Sequence, residues 1–295
     1  MAREKKIEIA AVNITIQPHS PQKYIELMND VYRSISETQI YGDNYAILST
    51  MTRLDSKNKT SPLIGDIFKF TKINKDDNWF NITTNEFASE DELEKVNIPE
   101  HLKPNSSRFS FIFYPKEHLF FYESFYDGNN LGPSNIIKFL ERLFSQKTIL
   151  DKYGHVDLTI VPEADKLSEA LKMKVKERLD LIVKRPNPDD QADAERKVLE
   201  RMKKRNVAHY EESFRSVAGQ SIIIDEELRI MSKIAAKNGV VKIKGKNAQG
   251  KPEEFSTLQH PWKVKEYYDP DVTQPFELLR SISSQMKQSI QGWFN

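Results

Sequence analysis

Arg108-Phe-Ser-Phe-Ile-Phe-Tyr114, Pro115-Lys-Glu-His118 and Leu119-Phe-Phe-Tyr-Glu-Ser-Phe-Tyr126 run without a break through the first half of the chain. Two aromatic-rich runs flanking a short polar turn predict an antiparallel hairpin, because aromatic side chains pack well on a pleated, half-buried surface. Just downstream, Gly132-Pro-Ser134 opens a helix, and Ile136, Phe139, Leu140, Leu143 and Phe144 recur at its spacing as one apolar stripe. A sheet beside an amphipathic helix is the unit from which the rest is read.

Upstream, Ile7 to Ile16 alternates as a strand, with Ile7 and Ile9 out of step with Val12, Ile14 and Ile16, a slip that suggests a bulge. Ser20-Pro21 caps a helix whose Tyr24, Leu27, Met28, Val31 and Ile35 share a face. Tyr45 to Leu54, Leu63 to Ile73 and Trp79 to Thr83 read as further strands. After Tyr153-Gly154 the pattern restarts with a strand at Val156 to Val161, a short helix at Lys166 to Leu171 and a strand at Arg178 to Lys184. Pro186-Asn-Pro-Asp-Asp190 then supplies acidic caps for a helix through Met202, and Asp225 to Asn238 is a second helix ending at Gly239. Val240 to Lys246 and Glu253 to Leu258 form a hairpin around Ala248-Gln-Gly250, and a last helix carries Phe276, Leu279, Ile282, Met286, Ile290 and Trp293. The expected fold is therefore α+β, with two sheet-and-helix domains, 1–153 and 154–295, mainly antiparallel strands and a C-terminal amphipathic helix. That helix covers either its own core or a second subunit.

At 295 residues the length suits two domains at about 150 residues each. The chain has no Cys, which excludes disulfides, thiolate nucleophiles and Cys-ligated zinc and fits a reducing compartment. Met1-Ala-Arg-Glu-Lys-Lys leads into no apolar segment, and no run reaches the roughly 20 residues that cross a bilayer, so a soluble cytoplasmic protein without membrane insertion is expected. The six histidines include no i, i+4 pair, and the glycines build neither a phosphate loop nor a dinucleotide fingerprint. Neither a metal nor a cofactor is expected.

Charge carries the functional signal. The formal net charge is only +1, yet between Arg229 and Lys251 the charged residues are Arg229, Lys233, Lys237, Lys242, Lys244, Lys246 and Lys251, with no acid among them. Acid gathers elsewhere, at Glu86, Glu90, Asp91, Glu92 and Glu94. A near-neutral chain that sorts charge by region can present a positive face to phosphates, because local potential decides phosphate binding. Strand alternation sets Lys242, Lys244 and Lys246 on one side, with Lys233 and Lys237 on the helix before them and Lys203, Lys204 and Arg205 as a second patch. The expectation is a non-enzymatic protein that contacts duplex DNA through phosphate with these eight residues. Two alternatives stand beside it. A metal-dependent nuclease would use Asp157, Asp180 and Lys184, since an ion held by strand carboxylates with a nearby Lys can stabilise a phosphoryl transition state. Asp189, Asp190 and Asp193 read as helix caps and not as further ligands. A protein-interaction module would instead present Phe276, Leu279 and Met286 to a partner.

Val12-Asn-Ile-Thr-Ile16, Gly65-Asp-Ile-Phe-Lys-Phe-Thr71, Ile98-Pro-Glu-His-Leu-Lys-Pro-Asn105, Pro186-Asn-Pro-Asp-Asp190 and Gly219-Gln-Ser-Ile222 resemble the motifs of an uncharacterised bacterial family associated with mobile elements and phage defence. Phe68-Lys-Phe-Thr-Lys72, Leu179-Asp-Leu-Ile-Val-Lys184 and the basic strand, Gly turn, strand and final helix are, more remotely, similar in order to the Rex exclusion sensor of phage lambda (RexA). This resemblance implies a two-domain homodimer that binds DNA with little sequence preference, acts in abortive infection and has a membrane effector as partner. The overall charge here is more neutral, and no individual DNA contact is carried over from it.

Overall fold

The aromatic hairpin lies near the middle of a large sheet because both of its faces are apolar. In the computed structural model, which describes residues 4–34, 36–74, 77–186 and 193–293, its side chains are buried almost throughout. The chain begins with β1 (Lys5–Thr15), α1 (Pro21–Arg33), β2 (Thr38–Tyr41), β3 (Asn44–Arg53), β4 (Leu63–Thr71), β5 (Phe80–Asn81), β6 (Glu86–Phe87) and α2 (Glu90–Glu94). The hairpin strands are β7 (Ser107–Tyr114) and β8 (Leu119–Tyr126), followed by β9 (Asn129–Asn130), α3 (Pro133–Phe144) and α4 (Lys147–Tyr153). Next come β10 (Asp157–Ile160), α5 (Ala164–Leu171), β11 (Val175–Lys184), α6 (Asp193–Arg205) and β12 (His209–Arg215). The last elements are α7 (Glu226–Lys237), β13 (Gly239–Lys246), β14 (Pro252–Ser256), β15 (Lys263–Tyr268) and α8 (Pro275–Gly292). The fold is α+β, and every pairing between strands is antiparallel.

The main sheet runs β10-β1-β8-β7-β4-β3-β2, with β15 on β1 and β9 on β8. One edge of β1 is shared end to end: Lys5 to Ala10 pair with β15, and Val12 to Thr15 pair with β10. This sheet thus takes strands from both sides of Tyr153. The slip read in Ile7 to Ile16 has a different cause from the one expected. β1 alternates regularly, and its apolar residues change face because each half is covered from another side. Ile7, Ile9 and Ala11 pack under α8, whereas Ala10, Val12, Ile14 and Ile16 pack under α1, α3 and α4. The bulge is on the neighbouring strand, where β8 places an extra residue, Ser124, against the Glu8 to Ile9 step.

The C-terminal helix is part of this core. Leu279 and Ile290 are buried against Ile112, Tyr114 and Phe121, with Phe276, Ile282 and Met286 packed beside them, and the Tyr114 and Ser283 hydroxyls lie 3.0 Å apart. The three residues considered as a partner-binding face, Phe276, Leu279 and Met286, thus pack on the protein's own sheet. No helix among the described residues is long and apolar enough to cross a membrane.

Between α5 and β15 the chain builds a smaller sheet in the order β12-β11-β13-β14. Leu179, Leu181, Val183, Val241, Ile243 and Phe255 face inward onto a helix layer that contributes Leu167, Val198, Met202, Ile234 and Ala235. Period-two alternation leaves the opposite side of this sheet polar. The two sheets meet at one end, where Asn13 Nδ2 donates to the Lys237 carbonyl at 3.3 Å and Lys184 Nζ donates to the Leu158 carbonyl at 2.9 Å. The cap segment Pro186–Asp190 lies outside the described residues beyond Pro186, as does Ile35.

Candidate nucleic-acid interface

The outer side of the small sheet brings Lys242, Lys244 and Lys246 to the surface, as alternation requires, with Val241 and Ile243 beneath them. Pairing adds two cations that the sequence alone did not single out. Arg178 on β11 lies directly opposite Arg215 on β12 and directly opposite Lys244 on β13. Three positive residues therefore form a row across three strands, with neighbouring Cβ atoms about 5 Å apart, an arrangement that costs stability through like-charge repulsion. Lys242 and Lys246 flank the row along β13. The junction with the main sheet closes the other end of this face, so the cations occupy its open end.

Carboxylates on the same and on neighbouring strands relieve part of the charge. Glu254 on β14 is opposite Lys244 and pairs with it at 2.7 Å, Glu177 pairs with Lys246 at 3.4 Å, and Asp180 accepts from Arg178 Nε at 2.9 Å. Asp180 also accepts from Ser213 at 2.6 Å, and these partners hold its carboxyl below the usual carboxylate range against the opposing effect of burial. The Lys244 and Lys246 pairs are exposed, and such pairs are worth about 1 kcal/mol or less, so a polyanion can compete with them.

The other predicted contacts fall elsewhere. Lys203, Lys204 and Arg205 form the last turn of α6, on the helix layer and so on the reverse side of the sheet from Lys242, Lys244 and Lys246. Lys233 on α7 lines a cleft between helices. Lys237 is inside: its side chain is 10% exposed and lies 3.5 Å from a Glu195 carboxylate that is 2% exposed. Asn238 Nδ2 donates to the same carboxylate at 3.3 Å. Lys237 thus neutralises a buried acid at the junction and does not face solvent.

Asp157, Asp180 and Lys184 do not converge. Asp180 and Lys184 share a face of β11 but stand four residues apart, roughly 13 Å along a strand. The Lys184 ammonium is engaged by the Leu158 carbonyl, and Asp157 faces His155 at 3.4 Å. Burial raises the Asp157 carboxyl, opposed by His155, Lys184, Arg185 and His209. No group of three or more His, Asp or Glu among the described residues is arranged to hold a metal ion. Asp193 lies in the first turn of α6, where it accepts from Arg196 at 2.8 Å, and Asp189 and Asp190 are outside the described residues.

Residues 5–284 match the model of a family described as a domain of unknown function (DUF4747), and the chain belongs to that family. No curated protein matches it.

Proposed function

We propose that this member of the DUF4747 family binds nucleic acid, with duplex DNA as the first candidate, through the outer face of its small sheet. The observation that carries the reading is the row Arg215, Arg178, Lys244, flanked by Lys242 and Lys246. Cations set directly opposite one another repel, and phosphates laid across them would relieve that repulsion. The contacts are to backbone phosphate, so binding is largely indifferent to sequence. Lys203, Lys204 and Arg205 form a separate patch that a duplex lying flat on the outer face does not reach. The wider role, a non-enzymatic cytoplasmic sensor in anti-phage defence that acts as a homodimer with a membrane effector, rests on the resemblance to the Rex exclusion sensor.

The test is duplex binding across a salt series. Each cation that meets a phosphate contributes about 0.9 to the logarithmic salt slope, so three to five contacts give a slope of roughly −3 to −4.5. Changing Lys242, Lys244 and Lys246 together to Glu should weaken binding by at least tenfold and flatten the slope, while Lys203→Glu with Lys204→Glu should leave both nearly unchanged. Binding that survives the triple change at full strength defeats the assignment.

A further inference from the structure

We infer that the cleft between α5, the start of β11, the Ser221–Ile224 segment and α7 binds a small phosphorylated molecule of the nucleotide class. The cleft has a volume of about 600 Å³, within the span of about 300 to 1,000 Å³ typical of small-molecule sites. Four of its wall residues are cations, Lys172, Lys176, Arg229 and Lys233, and none is an Asp or Glu. This pocket lies on the opposite side of the small sheet from the proposed nucleic-acid face and is independent of it.

The strand itself aims one cation into the cleft. Residues two apart on a regular strand share a face, so Lys176 and Arg178 should both point outward. The register of β11 against β13 shifts between them, and Lys176 comes opposite Gly245, on the same side as Val241 and Ile243. A bulge at Glu177 has turned the lysine inward, a device often found beside functional sites. Once there, the ammonium donates to the Met173 carbonyl at 2.9 Å, its one hydrogen bond among the described residues, although an ammonium has three donors. Burial alone pushes its pKa down, with no carboxylate opposing.

Two further cations are available. Among the described residues Lys172 has no ion-pair partner, and Arg229 pairs only with Glu226, in an exposed pair at 3.6 Å. The Ser221 hydroxyl is placed by the Lys176 N–H, which it accepts at 2.9 Å. Apart from Ser168 the remaining wall is apolar, with Leu167, Leu171, Ile222 and Trp293 among it. A cationic half suits phosphate and an apolar half suits a base, a division that inorganic phosphate would not use.

The test is calorimetry on the full chain with AMP, GMP, CMP, UMP, the four triphosphates, inorganic pyrophosphate and a short single-stranded oligonucleotide. At least one mononucleotide should bind saturably, and more tightly than pyrophosphate by tenfold or more. Arg229→Glu and Lys172→Glu, both exposed positions, should each weaken that binding by at least tenfold at unchanged melting temperature, and Lys176→Gln should do so too. The triple change of Lys242, Lys244 and Lys246 should leave it unaltered, so this site can fail or stand apart from the outer face. The inference is overturned if no mononucleotide binds, if pyrophosphate binds as well as every nucleotide, if only the oligonucleotide binds, or if Arg229→Glu and Lys172→Glu are both without effect.

Discussion

Replacing Glu123 by Gln should stabilise the protein by about 3 kcal/mol at pH 8 and by less than about 1 kcal/mol at pH 5. Glu123 lies on β8 with its side chain 1% exposed, and its carboxylate accepts the Ser110 N–H at 2.7 Å. Burial pushes this carboxyl up to about 7; the Ser110 N–H and Arg108 pull it down, and Asp66 adds to the rise. Asp66 is part of the same polar chain, accepting from Ser110 Oγ at 2.8 Å and from Thr50 at 3.2 Å. Between about pH 4.5 and 7 the folded protein therefore holds a proton that the unfolded chain has released. Stability from this group is full below about pH 4.5, falls by about 1.4 kcal/mol per pH unit as pH rises towards 7, and is flat above. The whole span amounts to about 3 kcal/mol. The amide oxygen of Gln can still accept from Ser110 without carrying charge, so the variant loses the penalty and keeps the bond. Urea denaturation at half-unit steps from pH 5 to 8 measures this directly, with equal m-values as the control on two-state behaviour. A difference between variant and parent that stays constant across that range would refute a buried carboxyl that ionises near neutrality.

Two other substitutions probe the small sheet and its junction. Glu195→Ala should cost roughly 3 to 5 kcal/mol, because it leaves the Lys237 ammonium buried beside the junction without its carboxylate, and chemical denaturation reads the loss. Gly239→Ala should cost at least about 1 to 3 kcal/mol, since a Cβ at that position would run into the Ile182 backbone carbonyl of the paired strand, and a melting temperature within a degree of the parent would contradict it.

What could be read in the sequence was what repeats locally. The aromatic hairpin announces itself by apolar residues on both faces, and α1, α3, α7 and α8 because each buries one face with a single period; the cap at Asp225 accepts the Leu228 N–H as a helix start requires. Gly239 is the exception at α7's far end: read as a helix terminator, it is the first residue of β13 and is needed for a close approach of backbones. β12 and β15 gave no such signal. His209-Tyr-Glu-Glu-Ser-Phe-Arg215 is an edge strand that commits only Tyr210 and Phe214 to the core side, and charged residues hide that alternation. Lys263-Val-Lys-Glu-Tyr-Tyr268 is likewise charged, and its place beside β1 depends on a partner more than two hundred positions away.

The charge pattern shows the same limit from the functional side. A run without acid along the chain implies nothing about acid across a sheet, because each strand meets its neighbours at residues remote in sequence. Lys244 and Lys246 find Glu254 and Glu177 that way, and by the same route Lys244 gains Arg178 and Arg215 as fellow cations. The eight residues proposed from the sequence thus separate into an exposed strand row, a patch at the end of α6, a wall of the cleft at Lys233 and a buried pair at Lys237. Lys176 needed the most information, since a one-residue register shift decides which side of the sheet it serves. Deleting Glu177 would restore regular pairing there and leave Lys176 opposite Gly245, facing the cleft as before. Nucleotide affinity should then stay near that of the parent while the Lys246 ammonium on the outer face loses its Glu177 partner, and a loss of nucleotide binding would refute the placement of Lys176 in the cleft.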